Sequence, residues 1–196
     1  IGVILREAAH NLGPHSDYKV GGKGPAEAFG GRMAATLEEL KAQTASWFLA
    51  DLLRRNGVID EAQLRQLYVH ALVWSFGHLS QGLVSATGAP KPYSQLSAVH
   101  VGRLVEAGAL TWAVSLDPAT GRPVGHFDMD FAKVHPAMEA LMRDVGRVKA
   151  TGDAAAAGAL VQPYVSGDKR GLVRLEEIVE RLRPFPRATM RYEVTL

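Results

Sequence analysis

Ile1, Ile4, Leu5, Ala8, Ala9 and Leu12 recur at intervals of three and four, which predicts an amphipathic helix over residues 1–12. Gly13-Pro14 stops it, and the glycine-rich stretch 13–35 reads as one long loop. Thr36 has the chemistry of an N-cap, with Glu38 and Glu39 in the turn that follows and Glu39 at the capping-box position. A helix is therefore expected from Thr36 to Arg55, ended by Asn56-Gly57. Asp60, with Gln63 three residues on, opens the next helix, whose stripe runs through Leu64, Leu67, Tyr68, Ala71, Leu72 and Trp74 towards Leu79. Residues 82–92 read as a loop, and 93–107 as a helix stopped at Gly108.

The pattern then changes period. "ALTWAVS" at 109–115 is extended in character, 117–121 (DPATG) is a turn, and "VGHFDMD" at 124–130 is the returning arm of a hairpin. Residues 130–150 form a long amphipathic helix with Pro136 in its first turns. A shorter alanine-rich helix runs from Gly152-Asp153 to Tyr164, and another spans 171–183, closed by Pro184 and Pro186. The tail "ATMRYEVTL" alternates and is rich in β-formers, so it is expected to be a strand. No partner for it is evident in the chain, and the first helix enters without an N-cap. Both suggest a piece of a longer protein. The fold class is mainly α, with one hairpin.

Composition narrows the chemistry. The 196 residues are 47% hydrophobic and 21% charged, as in ordinary globular domains. A net charge of +2, with no run of Lys/Arg interleaved with aromatics, argues against nucleic acid. No apolar run approaches a membrane span. The absence of cysteine excludes disulfides, zinc ribbons and thiol catalysis, so any metal site must use histidine and carboxylates. The stretch "VGGKGPAEAFGG" lacks the residue order of a phosphate-binding loop, and no G-x-S-x-G elbow occurs.

One constellation remains. Glu7 and His10 stand at E-x-x-H spacing, and Arg6 occupies the position where a zinc-peptidase helix carries its first histidine. Alone, the pair fits an amphipathic helix with polar residues outward as well as it fits a metal site. Asn11 is either a support for His10 or a helix-end residue. His78 reads as an interhelical histidine, and Trp47, Phe48 and Trp74 as apolar anchors. His100, His126 and His135 fit no ligand spacing with each other.

The segments "REAAHNLGPHSDYKV", "TLEELKAQTASWFL", "SFGHLSQGL" and "KPYSQLSAVHVGRLVEAGAL", in this order, resemble the dipeptidyl peptidase III family of zinc metallopeptidases. The likeness is to its bacterial members and to the relatives fused behind Nudix domains in plants. It runs through essentially the whole chain and corresponds to the C-terminal part of such a protein. The resemblance implies Glu7 as general base, His10 and Glu39 as ligands of one zinc ion, and Glu38 and Asn11 as supports around them. It makes Arg6 an altered ligand position, and Tyr93 and His78 candidate substrate contacts.

By the same resemblance, residues 1–186 are the helical catalytic lobe. It faces a second lobe, in the missing N-terminal part, across a peptide cleft. Residues 187–196 are the strand returning to that lobe. The implied protein is a monomer acting on short peptides, with no nucleic-acid or membrane partner, in the cytoplasm or the periplasm. Two functions follow. One is a zinc-dependent peptidase that hydrolyses short peptides with metal-activated water. The other is a non-catalytic pseudo-peptidase or peptide-binding protein in which Arg6 replaces the zinc by pairing with Glu39 or Glu7. A plain helical interaction domain is the third option, favoured if Glu7, His10 and Glu39 lie far apart.

Overall fold

In a computed structural model, residues 1–185 are described. They form eight α-helices and one hairpin: α1 (Gly2–His10), α2 (Pro25–Phe29), α3 (Gly31–Arg55), α4 (Glu61–Leu79), α5 (Pro92–Glu106), β1 (Leu110–Leu116), β2 (Pro123–Met129), α6 (Phe131–Thr151), α7 (Ala154–Val165) and α8 (Leu175–Leu182). The mainly α architecture with a two-stranded antiparallel sheet is as the sequence predicts. The expected closing strand at 187–196 lies outside the described residues. Among those described, no helix is long and apolar enough to cross a membrane.

α5 is the central helix. Ser94 to Gly102 are all buried, because small residues alternate with aliphatic ones around its whole circumference. Gly102 is required there: a Cβ would overlap the Tyr164 ring of α7. α3 packs on α5 through residues such as Leu37, Leu40 and Trp47, and α6 adds Val134, Met138, Leu141 and Val145 to the same core. The hairpin pairs Leu110 with Met129 through to Leu116 with Pro123. It docks on α4 by an aromatic chain, with Trp112 4.9 Å from Phe127 and Phe127 5.8 Å from Phe76.

Three expectations need correction. Residues 13–35 are not one loop, because they hold α2 and the first turn of α3. Thr36 is not an N-cap: α3 begins at Gly31, just after Gly30 turns the chain at φ 77°. Met33, Ala34, Leu37 and Leu40 keep the apolar stripe intact across that point, and burial of the stripe outweighs the glycine punctuation. Thr36 is buried inside the helix and donates its hydroxyl to the Arg32 carbonyl at 3.2 Å. Glu38 and Glu39 consequently lie in the third turn of α3 rather than its first. The helix expected over 171–183 is broken at Arg174, which adopts a left-handed conformation (φ 54°, ψ 42°) between a short 3₁₀ turn and α8. The Asp60–Gln63 capping box is present in both directions.

Candidate functional site

The site begins where α1 crosses α3. Ala9, Ala42 and Ala45 are 0–2% exposed at the contact, and their small size lets the two helices approach closely. The C-terminal carbonyls of a helix need partners. Here Lys41 of α3, fully buried, reaches across and donates to the carbonyls of His10 (3.1 Å), Leu12 (3.0 Å) and Pro14 (3.4 Å). The same ammonium lies 3.2 Å from Glu38 Oε1. Lys149 of α6, also buried, pairs with Glu38 Oε2. One carboxylate is thus held by two lysines, one of which staples down the end of α1.

Glu38 also accepts from His10 Nδ1 at 2.8 Å. An ionised carboxylate only accepts, so the ring proton sits on Nδ1 by assignment from the network, and Nε2 points away from it. Burial pushes the Glu38 carboxyl up, but Lys149, His10 and Lys41 outweigh it and hold its pKa below the usual value. Burial pulls the Lys41 ammonium down, with Glu38 opposing. His10 Nε2 faces Glu39 Oε2 at 3.8 Å.

Arg6 occupies the middle of the group. Its Nη1 donates to Glu39 Oε2 at 2.9 Å and to the Tyr93 hydroxyl at 3.4 Å, while Nη2 pairs with Glu7. Burial works against its charge, and the hydrogen bond to Tyr93 with the attraction of Tyr93, Glu7 and Glu39 more than compensates, so its pKa is raised. Glu7 itself is 58% exposed at the rim. The Tyr93 pKa is raised by burial and by Glu39, against the pull of Arg6.

The structure therefore brings Arg6, Glu7, His10, Glu38, Glu39 and Tyr93 together. His78 joins through rings: it lies 5.1 Å from Tyr93 and 4.2 Å from Trp74, and Trp74 meets Tyr93 edge-on at 5.8 Å. Asn11 is exposed at the C-cap of α1, where its backbone N–H bonds the Ala8 carbonyl at 3.1 Å. Sequence reasoning missed Lys41, Lys149 and the place of Trp74 on the wall of the site. The i,i+4 spacing of Trp74 and His78 was a usable signal for the last. His100 is fully buried, bonded to Thr44 Oγ1 at 2.8 Å.

These residues do not fit a catalytic zinc as they stand. Such a site takes three protein ligands. His10 Nε2 and Glu39 Oε2 face each other, but the position before Glu7 carries a guanidinium, which has donors and no lone pair to give. Among the described residues, no group of three or more His, Cys, Asp or Glu is placed to hold a metal ion.

No family profile matches the chain. Nudix hydrolase 3 of Arabidopsis thaliana is 26% identical over 179 residues, 89% of this chain and 21% of that protein. The structure of DPP III from Caldithrix abyssi superposes with a TM-score of 0.71 at 22% identity, over 93% of this chain and 31% of that one. The dipeptidyl-peptidase III of Corallococcus sp. strain EGB gives 0.70 at 21% identity, over 93% and 30%. The chain thus spans about a fifth to a third of the length of these proteins. It has the fold of the helical part of dipeptidyl peptidase III that it matches.

Proposed function

We propose that this chain is the peptide-binding helical lobe of a dipeptidyl peptidase III-like protein of the bacterial and plant Nudix-fused kind, with Arg6 standing in place of zinc. The observation that carries this is the bond from Arg6 Nη1 to Glu39 Oε2 at 2.9 Å, made while Nη2 pairs with Glu7. The charges agree with it. Arg6, Lys41 and Lys149 face Glu7, Glu38 and Glu39, so cations and carboxylates balance without a metal. A divalent ion added to that set would bring two uncompensated charges into a half-buried site. The ligand class is short peptides, bound as a monomer with the remainder of a longer protein supplying the facing wall.

The second reading is a zinc-dependent peptidase acting on short peptides, with Glu7 as its base. It is favoured by one observation: Glu38 holds His10 by Nδ1 and leaves Nε2 turned to Glu39, as ligand pairs are held elsewhere. Metal analysis after equilibration with zinc and gel filtration decides between them. The Arg6-centred reading expects less than a tenth of a zinc per chain in the unaltered protein, rising towards one in Arg6→His. Stoichiometric zinc in the unaltered protein overturns that reading and leaves the peptidase.

A further inference from the structure

A cavity of about 90 Å³ lies between α1, α3 and α4. Val3 and Arg6 of α1, Trp47 of α3, and Leu67, Ala71 and Trp74 of α4 are among its lining residues. It shares Arg6 and Trp74 with the site already described. The guanidinium that bonds Glu39 and Tyr93 forms part of its wall, and so does the indole that packs edge-on against Tyr93. A chain lying past Tyr93 has this cavity beside it.

We propose that the cavity is the specificity pocket for one branched aliphatic side chain, valine or leucine, of the bound peptide. The inference rests on the peptide-binding reading above and deepens it. Size and charge choose the occupant. A cavity of roughly 150 Å³ takes up benzene, so about 90 Å³ falls short of an aromatic ring and exceeds a methyl group. Aromatic and aliphatic side chains make up most of the wall, joined by the polar side chains of Gln43, Ser46 and His70. None of the described residues lining the cavity carries a carboxylate, and Arg6 repels a lysine or arginine side chain. An acidic side chain meets a guanidinium already shared by Glu7 and Glu39.

The test uses the intact chain and tetra-alanine peptides in which each position in turn becomes Val, Leu, Phe or Lys. Binding is read by tryptophan fluorescence, since Trp47 and Trp74 both line the cavity. At one position Val or Leu should bind about tenfold more tightly than Ala, Phe or Lys. Ala71→Leu fills the cavity and should bring the Leu-to-Ala affinity ratio to about one. Leu67→Ala enlarges it and should shift the preference towards Phe. Near-UV circular dichroism establishes that each variant is folded, and Leu67→Ala carries the test alone if Ala71→Leu is not. Peptides that bind with the same preferences in all folded variants overturn the pocket assignment and leave peptide binding standing. A chain that binds none of the peptides overturns both.

Discussion

Arg6 and Glu39, thirty-three residues apart, meet through a 2.9 Å hydrogen bond that ties α1 to α3. The two side chains are 19% and 22% exposed, so solvent screens the pair only in part. The bond fixes where both Glu7 and Glu39 present their charge.

A double-mutant cycle measures that tie. Arg6→Met leaves Glu39 and Glu7 without their cation and should cost about 1–2 kcal/mol, after allowance for partial exposure. Glu39→Gln removes most of the penalty in the double variant, giving a coupling of about 1 kcal/mol in urea unfolding. Additive single effects, within ~0.3 kcal/mol, would show that the pair contributes nothing.

Lys41→Met tests the staple at the end of α1. The substitution strips a buried donor from three carbonyls and one of two lysines from Glu38. The expected loss is about 3 kcal/mol. Amide exchange should rise most around the C-cap of α1, at Asn11 and Leu12, and change little in α5. Uniform acceleration across both helices would instead mean a general loss of packing.

Two groups make stability depend on pH, in windows that overlap only at the acidic end. Burial pulls His100 from 6.5 down to about 3. Between those values the unfolded chain binds a proton that the folded chain refuses, so stability falls as pH drops through that range. Glu38 is ionised in the fold to below its ordinary 4.5. Its contribution is present above that pH and is lost as pH falls through the depressed folded value. His100→Gln should flatten the urea-midpoint profile between pH 6.5 and 4.5. Glu38→Gln should flatten only the more acidic part.

Gly102→Ala should destabilise by about 2–3 kcal/mol, because the new methyl overlaps the Tyr164 ring between α5 and α7. Tyr164→Leu, which takes the ring away, should recover part of the loss in the double variant. A neutral Gly102→Ala in thermal unfolding would show that α7 can shift at little cost.

Local chemistry was legible in the sequence. Asp60 with Gln63 announced α4, and the DPATG turn announced the hairpin, because each depends on neighbours in the chain. E-x-x-H and the paired glutamates of α3 were joined only by the family resemblance, since neither pattern alone points to the other, and the structure brings them within contact of each other. Three features were not legible. The start of α3 was obscured by Gly30-Gly31, although Met33 and Leu37 continue the stripe. The left-handed Arg174 leaves no mark in a helical periodicity. Lys41 and Lys149 look like solvated lysines when read along their own helices. Their burial is set by carbonyls and a carboxylate that arrive from elsewhere in the fold, and the i,i+3 step from Glu38 to Lys41 was the one local hint.

α1 fully buries a single side chain, Ala9, and its one lysine clamp is at the C-terminal end. One turn back, Arg6 adds a second anchor through Glu39 and Tyr93. Gly2, Val3 and Arg6 are also a wall of the cavity against α3 and α4. Arg6→Met, which takes the second anchor away, should speed amide exchange at Leu5 to Ala8 more than at Asn11 and Leu12, and equal acceleration along α1 would argue against that division. The calibre of the pocket is thus an electrostatic setting, held by two cations along one helix.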